Sequence, residues 1–193
     1  MTKAIHLSLD AMGGDKAPEI VIEGAAQSKI RYPNVKFSFF GDQEIILPLI
    51  STKDILKDSD VIHTSEIVNA SDKLSIAVRK GKNSSMGMSI QLVKSGKADA
   101  VVSAGNTGAL MAMAKLILRP MDGITRPAIV AYFPTILGES CMLDLGANIE
   151  CDSKNLVQFA FMGQAFANIV MGIKNPSISL LNVGEEEQKG LDY

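Results

Sequence analysis

Apolar and polar residues follow two spacings along the chain, which predict strands separated by helices. Residues 5–9 alternate between apolar and polar side chains, as a strand does. Further strands are predicted at 35–40, 60–63, 99–103, 127–133, 141–145 and 177–183. Helices are predicted from residue 18, at 47–56, at 71–80, from 84 or 85 to 96, from 108 to 118, and at 155–171. This alternation predicts an α/β fold with a mostly parallel sheet and helices on both faces, a three-layer, Rossmann-like sandwich.

Length and composition fit a soluble globular protein. The 193 residues are 47% hydrophobic and 21% charged, and no Gly/Ser linker divides them, so one α/β domain over residues 1–193 is predicted. A net charge of -2 with scattered basic residues argues against nucleic acid as a partner. Cys141 and Cys151 lack metal-ligand spacing, so no metal is expected, and a reducing cytosol is the simplest compartment.

An uncharged run from Leu156 to Ile173 is long enough to be considered as a membrane span. Its glutamines, asparagine and alanines weaken that interpretation. A helix buried against a sheet or a partner subunit is favoured instead.

The segment Ser103 to Gly108 reads Ser-Ala-Gly-Asn-Thr-Gly and links a predicted strand to a predicted helix. Its glycines let the backbone approach a ligand closely, and the helix start offers unpaired N–H groups with partial positive charge. The segment therefore indicates an anion site. It lacks the Gly-Lys-Ser/Thr ending of a P-loop, and a plain tight turn is the alternative interpretation.

Other small or polar segments also follow predicted strands, where ligands of parallel sheets gather. Asp10, Gly13 and Gly14 follow the first strand, residues 146–148 follow the sixth, and residues 184–190 follow the seventh. Each segment singly is consistent with turn chemistry, but together they favour a site. The cationic residues 79–82 and Arg126 either reach an anionic substrate or are solvated.

Several of these motifs occur in a fixed order: Leu-Asp-Ala-Met-Gly-Gly-Asp at 9–15, Lys-Asn-Ser-Ser-Met at 82–86, the segment from 103, Leu-Asp-Leu-Gly-Ala-Asn at 143–148, and Leu-Asn-Val-Gly-Glu-Glu-Glu at 181–187. In this order the chain resembles the bacterial phosphate acyltransferases that feed phospholipid synthesis (fatty acyl-ACP:phosphate transacylases). The resemblance extends over nearly the whole chain.

The resemblance implies transfer of an acyl group from acyl carrier protein to inorganic phosphate, which yields acyl phosphate, with no cofactor. It also implies a homodimer when the enzyme is intact and a downstream glycerol-3-phosphate acyltransferase in the membrane. The implied location is the cytoplasm, with peripheral membrane association in the full-length family.

The chemistry of this reaction assigns roles to the candidate residues. A phosphate dianion is already a nucleophile, so the enzyme must hold it beside a thioester and stabilise an oxyanion. Asn106 and Lys189 are the candidate catalytic residues. The candidate phosphate- or substrate-binding residues are Asp10, Gly13, Gly14, Ser103, Gly105, Thr107, Gly108, Arg126 and Asn148.

Members of this family are longer, and the chain is expected to match their N-terminal part, with a sheet incomplete at its C-terminal end. Three interpretations are open. The chain is an acyltransferase, or a catalytically inactive fragment that is at most an anion-binding module, or a relative on a similar scaffold. That relative is a phosphotransacetylase that uses a coenzyme A thioester, or a dehydrogenase, which would be expected to show metal-binding Asp or His clusters.

Overall fold

A computed structural model of the chain describes residues 4–72, 74–182 and 184. The chain divides into two compact units at the bond between Arg119 and Pro120. The single domain expected over residues 1–193 stays a prediction.

The first unit alternates strands with helices. Its main elements are β1 (His6–Asp10), α1 (Glu19–Arg31), β2 (Lys36–Gly41), α2 (Gln43–Ser51), β3 (Asp60–His63), α3 (Leu74–Lys80), α4 (Ser85–Lys94), β4 (Ala100–Val102) and α5 (Thr107–Leu118). The four strands form a parallel sheet in the order β3-β2-β1-β4. This arrangement confirms the predicted α/β fold with a mostly parallel sheet.

One face of the sheet is covered by α1 and α2. Leu9, Phe37 and Phe39 point to this face at alternate positions of β1 and β2 and are at most 5% exposed. They pack with Ile22 of α1 and Ile46 of α2 in one apolar cluster. The burial of these side chains positions the first two helices on the sheet.

The opposite face is covered by α4, with α3 and α5 beside it. Ser8 points to this face, and its hydroxyl donates to the carbonyl oxygen of Ser89 in α4 at 2.9 Å. Met86 and Ile90 of α4 pack with Met113 of α5 in a second cluster. The helices therefore cover both faces, as the sequence predicts for three layers.

Capping side chains set where the helices begin. Asp42 accepts from the amide of Glu44, so α2 begins at Gln43 rather than at the predicted residue 47. Residues 54–56 of the predicted helix form a separate 3₁₀ turn. Ser84 caps α4, one of the two caps that the sequence predicts there. The predicted helix at 71–80 begins at Leu74.

The second unit contains an antiparallel hairpin and a helix: β5 (Val130–Thr135), β6 (Gly138–Leu143) and α6 (Ser153–Ile169). The sequence-based prediction that these strands join a mostly parallel sheet is therefore wrong for this pair. The hairpin turn has two residues, Ile136 and Leu137, and parallel strands need a crossover of a dozen or more.

The end of the described chain also differs from the prediction. Residues 177–182 do not form a strand with any described residue, and Val183 lies outside the described residues. A strand requires a partner for its backbone hydrogen bonds, which an apolar pattern alone does not supply.

Helix α6 occupies most of the uncharged run from Leu156. Its Gln158 is 6% exposed and accepts from the amide of Thr125 at 2.9 Å. Within the described residues, the molecule has no helix with both the length and the apolar character needed to traverse a bilayer.

Two glycine positions test the packing of the first unit. A Cβ on Gly87, in α4, would overlap the carbonyl oxygen of Gly81 and lie 2.7 Å from that of Lys82. We expect Gly87→Ala to lower the free energy of unfolding by about 2 kcal/mol because backbone must move. The matched control is Gly24→Ala, in the middle of α1, where a Cβ meets nothing within 4 Å.

Gly24→Ala should raise the free energy of unfolding by about 1 kcal/mol through helix propensity. Urea unfolding followed by circular dichroism measures both variants. Equal effects of the two substitutions would contradict the close packing of α4 against residues 81–83.

Candidate functional site

The parallel pairing of β1 with β4 brings the segments after these strands together. Leu9 pairs with Val102, so Asp10 and Ser103 follow as neighbours at the carboxyl edge of the sheet. The Ser103 hydroxyl donates to Oδ2 of Asp10 at 2.6 Å. The same hydroxyl oxygen accepts from the amide of Gly105 at 3.1 Å. A chain of hydrogen bonds therefore connects the end of β1 to the loop after β4.

Glycines allow the two loops to touch. A Cβ on Gly13 would lie 2.5 Å from Oδ2 of Asp10 and 2.8 Å from the Ser103 hydroxyl oxygen. Gly14 has φ +107° and sits against the carbonyl of Ala104. A side chain at either position would be strained or would displace the hydrogen-bond chain, which explains why small residues stand here.

Asn106 fixes the start of α5. Its Oδ1 accepts from the amide of Ala109 at 3.0 Å, and its Nδ2 donates to the carbonyl oxygen of Ala70 at 3.0 Å. Within the described part of the chain, the amides of Asn106, Thr107 and Gly108 have no acceptor. Thr107 and Gly108 are exposed. The first turn of α5 thus presents free N–H groups at its positive end, the arrangement that binds anions.

The segment after β3, residues 64–72, frames the same edge, and the sequence analysis did not single it out. The carbonyl oxygen of Ala70 accepts from the Asn106 side chain, and the carbonyl oxygen of Glu66 accepts from the amide of Ser85 at 2.9 Å. The Thr64 hydroxyl donates to the carbonyl oxygen of Asn83 at 2.7 Å. The segment is thereby tied to the starts of both α4 and α5. The sequence could have indicated this segment, because it follows the predicted strand at 60–63 and ligands gather at the ends of strands.

In the second unit, Asp144 organises a turn that contains one candidate residue. Its carboxylate accepts from the amides of Ile129 at 2.7 Å and Asn148 at 2.7 Å, and from that of Ala147 at 3.2 Å. The Asn148 side chain donates to the same carboxylate and to the carbonyl oxygen of Pro127. Sequence reasoning named Asn148 as a site residue and missed Asp144, although an Asp two residues before a glycine is typical of turns.

The hydrogen bonds to Asp144 have an electrostatic consequence. Burial raises the pKa of the Asp144 carboxyl, but the amide of Ile129 and both amide groups of Asn148, with that of Ala147, lower it by more in sum. The pKa therefore lies below its ordinary value, because donors favour the charged form.

The structure brings eight of the eleven predicted site residues to one edge of the first unit: Asp10, Gly13, Gly14, Ser103, Gly105, Asn106, Thr107 and Gly108. Arg126 and Asn148 belong to the second unit, where Arg126 donates to the carbonyl oxygen of Glu150 at 2.9 Å. Lys189 lies outside the described residues. The roles of all eleven residues stay predictions.

The lowered pKa of Asp144 predicts a pH-dependent stability. Because the folded carboxyl has the lower pKa, its stabilising effect is complete above the pKa of the unfolded chain. It is lost as the pH falls through the folded pKa. We therefore expect Asp144→Asn to lower the free energy of unfolding of the second unit near neutral pH. The difference in this free energy between the variant and the unsubstituted chain should become smaller in acid.

NMR of the Ile129 amide follows unfolding beside the hairpin and measures this difference in free energy at each pH. Asp122→Asn is the matched control because Asp122 is exposed in the same unit. A difference that is constant with pH would refute the contribution of the Asp144 charge.

The chain is similar to known proteins over almost its whole length. The family model described as "Fatty acid synthesis protein" matches residues 5–193. A phosphate acyltransferase of Rhodospirillum centenum is 54% identical over 191 residues, covering 98% of this chain and 54% of the relative. A phosphate acyltransferase of Parvibaculum lavamentivorans is 51% identical over 194 residues, covering 100% of this chain and 54% of the relative.

The chain therefore spans about half the length of the curated relatives it matches. Among solved structures, the EutD phosphotransacetylase from Staphylococcus aureus matches with a TM-score of 0.62 at 20% identity, covering 89% of this chain and 55% of that one. This likeness shows a shared α/β fold. The chain therefore belongs to the family described as "Fatty acid synthesis protein", and the relatives reported above are named phosphate acyltransferases.

Proposed function

We propose that this chain holds inorganic phosphate for an acyltransferase that forms acyl phosphate from acyl-ACP, a step that feeds phospholipid synthesis. The observation that carries the proposal is the first turn of α5, whose three amides at 106–108 have no acceptor among the described residues. The names of the curated relatives support the reaction class.

The geometry of α5 favours a compact anion with several oxygens. Three successive amides, from the N-cap Asn106 to Gly108, have no acceptor among the described residues, and the partial positive charge of the helix adds to their attraction. Thr107 is exposed and adds a hydroxyl donor beside them. Gly108 is exposed and adds no side chain beside these amides.

The reaction needs little covalent chemistry from the protein. A phosphate oxygen attacks the thioester carbonyl carbon, so a C–O bond forms and the carbonyl oxygen becomes an oxyanion. The intermediate then collapses, the C–S bond breaks, and the thiolate leaves and takes a proton from water. The protein holds the nucleophile in place and stabilises the oxyanion with N–H groups and a cation. Lys189 is the proposed cation.

The proposed acyl donor is acyl carrier protein, and the proposed consumer of the product is a membrane glycerol-3-phosphate acyltransferase. The intact enzyme is proposed to be a cytoplasmic homodimer with peripheral membrane contact. The family likeness supports these partners and this location.

Acyl-phosphate formation tests the reaction directly. The purified chain is mixed with phosphate and either acyl-ACP or acyl-CoA, and acyl phosphate is trapped as the hydroxamate. We expect product with acyl-ACP. Product with acyl-CoA alone would identify a phosphotransacetylase, and phosphate binding without any product would identify an anion-binding module.

A charge placed at Asn106 tests the anion site. Asn106→Asp keeps an oxygen to cap α5, but adds a negative charge beside the free amides. We expect the dissociation constant for inorganic phosphate to rise by about tenfold or more. Isothermal titration calorimetry measures it. The matched control is Asn34→Asp, the same change at an exposed residue just before β2, at the opposite edge of the sheet.

Unchanged phosphate affinity in Asn106→Asp would place the anion elsewhere. An equal loss in Asn34→Asp would mean that only net charge matters.

Replacement of Lys189 tests the proposed oxyanion stabilisation. We expect Lys189→Met to lower the rate of acyl-phosphate formation by about a hundredfold, the typical effect of removing one stabilising group. Lys174→Met, at an exposed lysine earlier in the sequence, is the control and should keep the rate. Normal turnover of Lys189→Met would exclude this role.

A further inference from the structure

Asp10 is a buried carboxylate at the edge where the proposed anion site lies. It is 1% exposed, and its Oδ1 has no hydrogen-bond partner among the described residues. Gly13 covers the other oxygen, since a Cβ there would lie 2.5 Å from Oδ2. The negative charge of Asp10 would repel a phosphate at contact distance, which favours an indirect role over a direct contact.

We propose that Asp10 is a positioning residue, which acts through Ser103 on the loop that presents the amides of residues 106–108. This inference rests on the proposed phosphate-binding function. It differs from a phosphate contact by Asp10, because among the described residues the carboxylate accepts from the Ser103 hydroxyl at Oδ2 and has no partner at Oδ1.

The hydrogen-bond chain has a fixed direction. A carboxylate only accepts, so the single hydroxyl hydrogen of Ser103 is committed to Oδ2 of Asp10 at 2.6 Å. The hydroxyl oxygen is then left to accept from the Gly105 amide at 3.1 Å. Without the carboxylate the hydroxyl would be free to rotate. The charge on Asp10 strengthens the first bond and so fixes the second.

The start of α4 makes the buried charge tolerable. Ser8 bonds to the carbonyl of Ser89, and Asp10 lies two residues further along β1, about 6.6 Å away. One turn of α4 towards its N-terminus, about 5.4 Å, leads from Ser89 to Ser85. Helix α4 is part of the crossover between the parallel strands β3 and β4, so it runs against the strand direction. Its positive end therefore lies on the same side as Asp10.

Gly105, the last member of the hydrogen-bond chain from Asp10, also packs against α4. A Cβ on Gly105 would lie 3.1 Å from the terminal methyl of Met86 and 3.3 Å from the Cα of Gly13. Met86 is 1% exposed in the first turn of α4. The loop thus rests on α4 on one side and on Ser103 on the other, so a shift of Ser103 moves the amides that follow it.

Amide exchange in the phosphate-free chain tests the positioning role. The two substitutions are Asp10→Ala and Ser103→Ala. Each should speed exchange of the Gly105 amide by about tenfold, because the hydrogen bond from this amide to the Ser103 hydroxyl is weakened or lost. The double variant should show no further increase, because both substitutions break one chain. The Ile90 amide, buried in α4, reports global unfolding and should keep its protection.

Phosphate affinity, measured by calorimetry, gives a second readout. Both single variants should raise the dissociation constant by about tenfold, and Ser103→Thr, which keeps the hydroxyl, should restore it. Should Asp10→Ala fail to fold, Asp10→Asn replaces it. Asn has the shape of Asp but is a weaker acceptor. As a single substitution, Asp10→Asn should therefore speed exchange of the Gly105 amide. Added to Ser103→Ala, it should cause no further change in that exchange rate.

Additive effects on Gly105 exchange, or no effect of changing Asp10, would overturn the positioning role. The coupling in exchange without any phosphate binding by the unsubstituted chain would uphold it and refute the proposed function. Phosphate binding that does not change on substitution of Asp10 or Ser103 would refute the positioning role and uphold the proposed phosphate-binding function.

Discussion

The parallel pairing of β1 with β4 is the interaction on which the site depends. It joins segments more than ninety residues apart, with Leu7 opposite Ala100 and Leu9 opposite Val102. Because both strands run in one direction, their loops leave the sheet at the same edge. Asp10 then meets Ser103, and Gly13 meets Gly105. A shift of β4 by one residue would turn its side chains to the other face, so that Ser103 would no longer meet Asp10.

Small side chains make this pairing into a site. Ser8 and Ser38, both at most 2% exposed, line the face against α4, where larger residues would push the helix away. Gly87 lets α4 begin against the carbonyl groups of residues 81 and 82. The result is a helix start packed directly behind the loop of residues 103–108. Close packing of this kind transmits a change at one residue to the next, since few voids absorb it.

Parts of the site could be predicted because their signals are local. The loop from Ser103 and the helix after it follow from a strand pattern at 99–103 and glycines at 105 and 108, all within ten residues. Asp144 escaped prediction because its role is to bond amides up to fifteen residues away, at Ile129. The partners of Asn106 and Arg126 were equally hidden, since carbonyl groups such as those of Ala70 and Glu150 leave no mark in a sequence.

The sequence alone determined where most strands and helices lie, the mostly parallel α/β class, and which loops follow the strands, since apolar periodicity and capping residues act over a few neighbours. Only the tertiary structure decided which strands pair. It joined β5 to β6 as an antiparallel hairpin, and it did not form the strand that the sequence predicts at 177–182 within the described residues. It also decided that Asp10 is buried and accepts a hydrogen bond from Ser103. Pairing and burial depend on contacts between distant segments, and local patterns do not encode them.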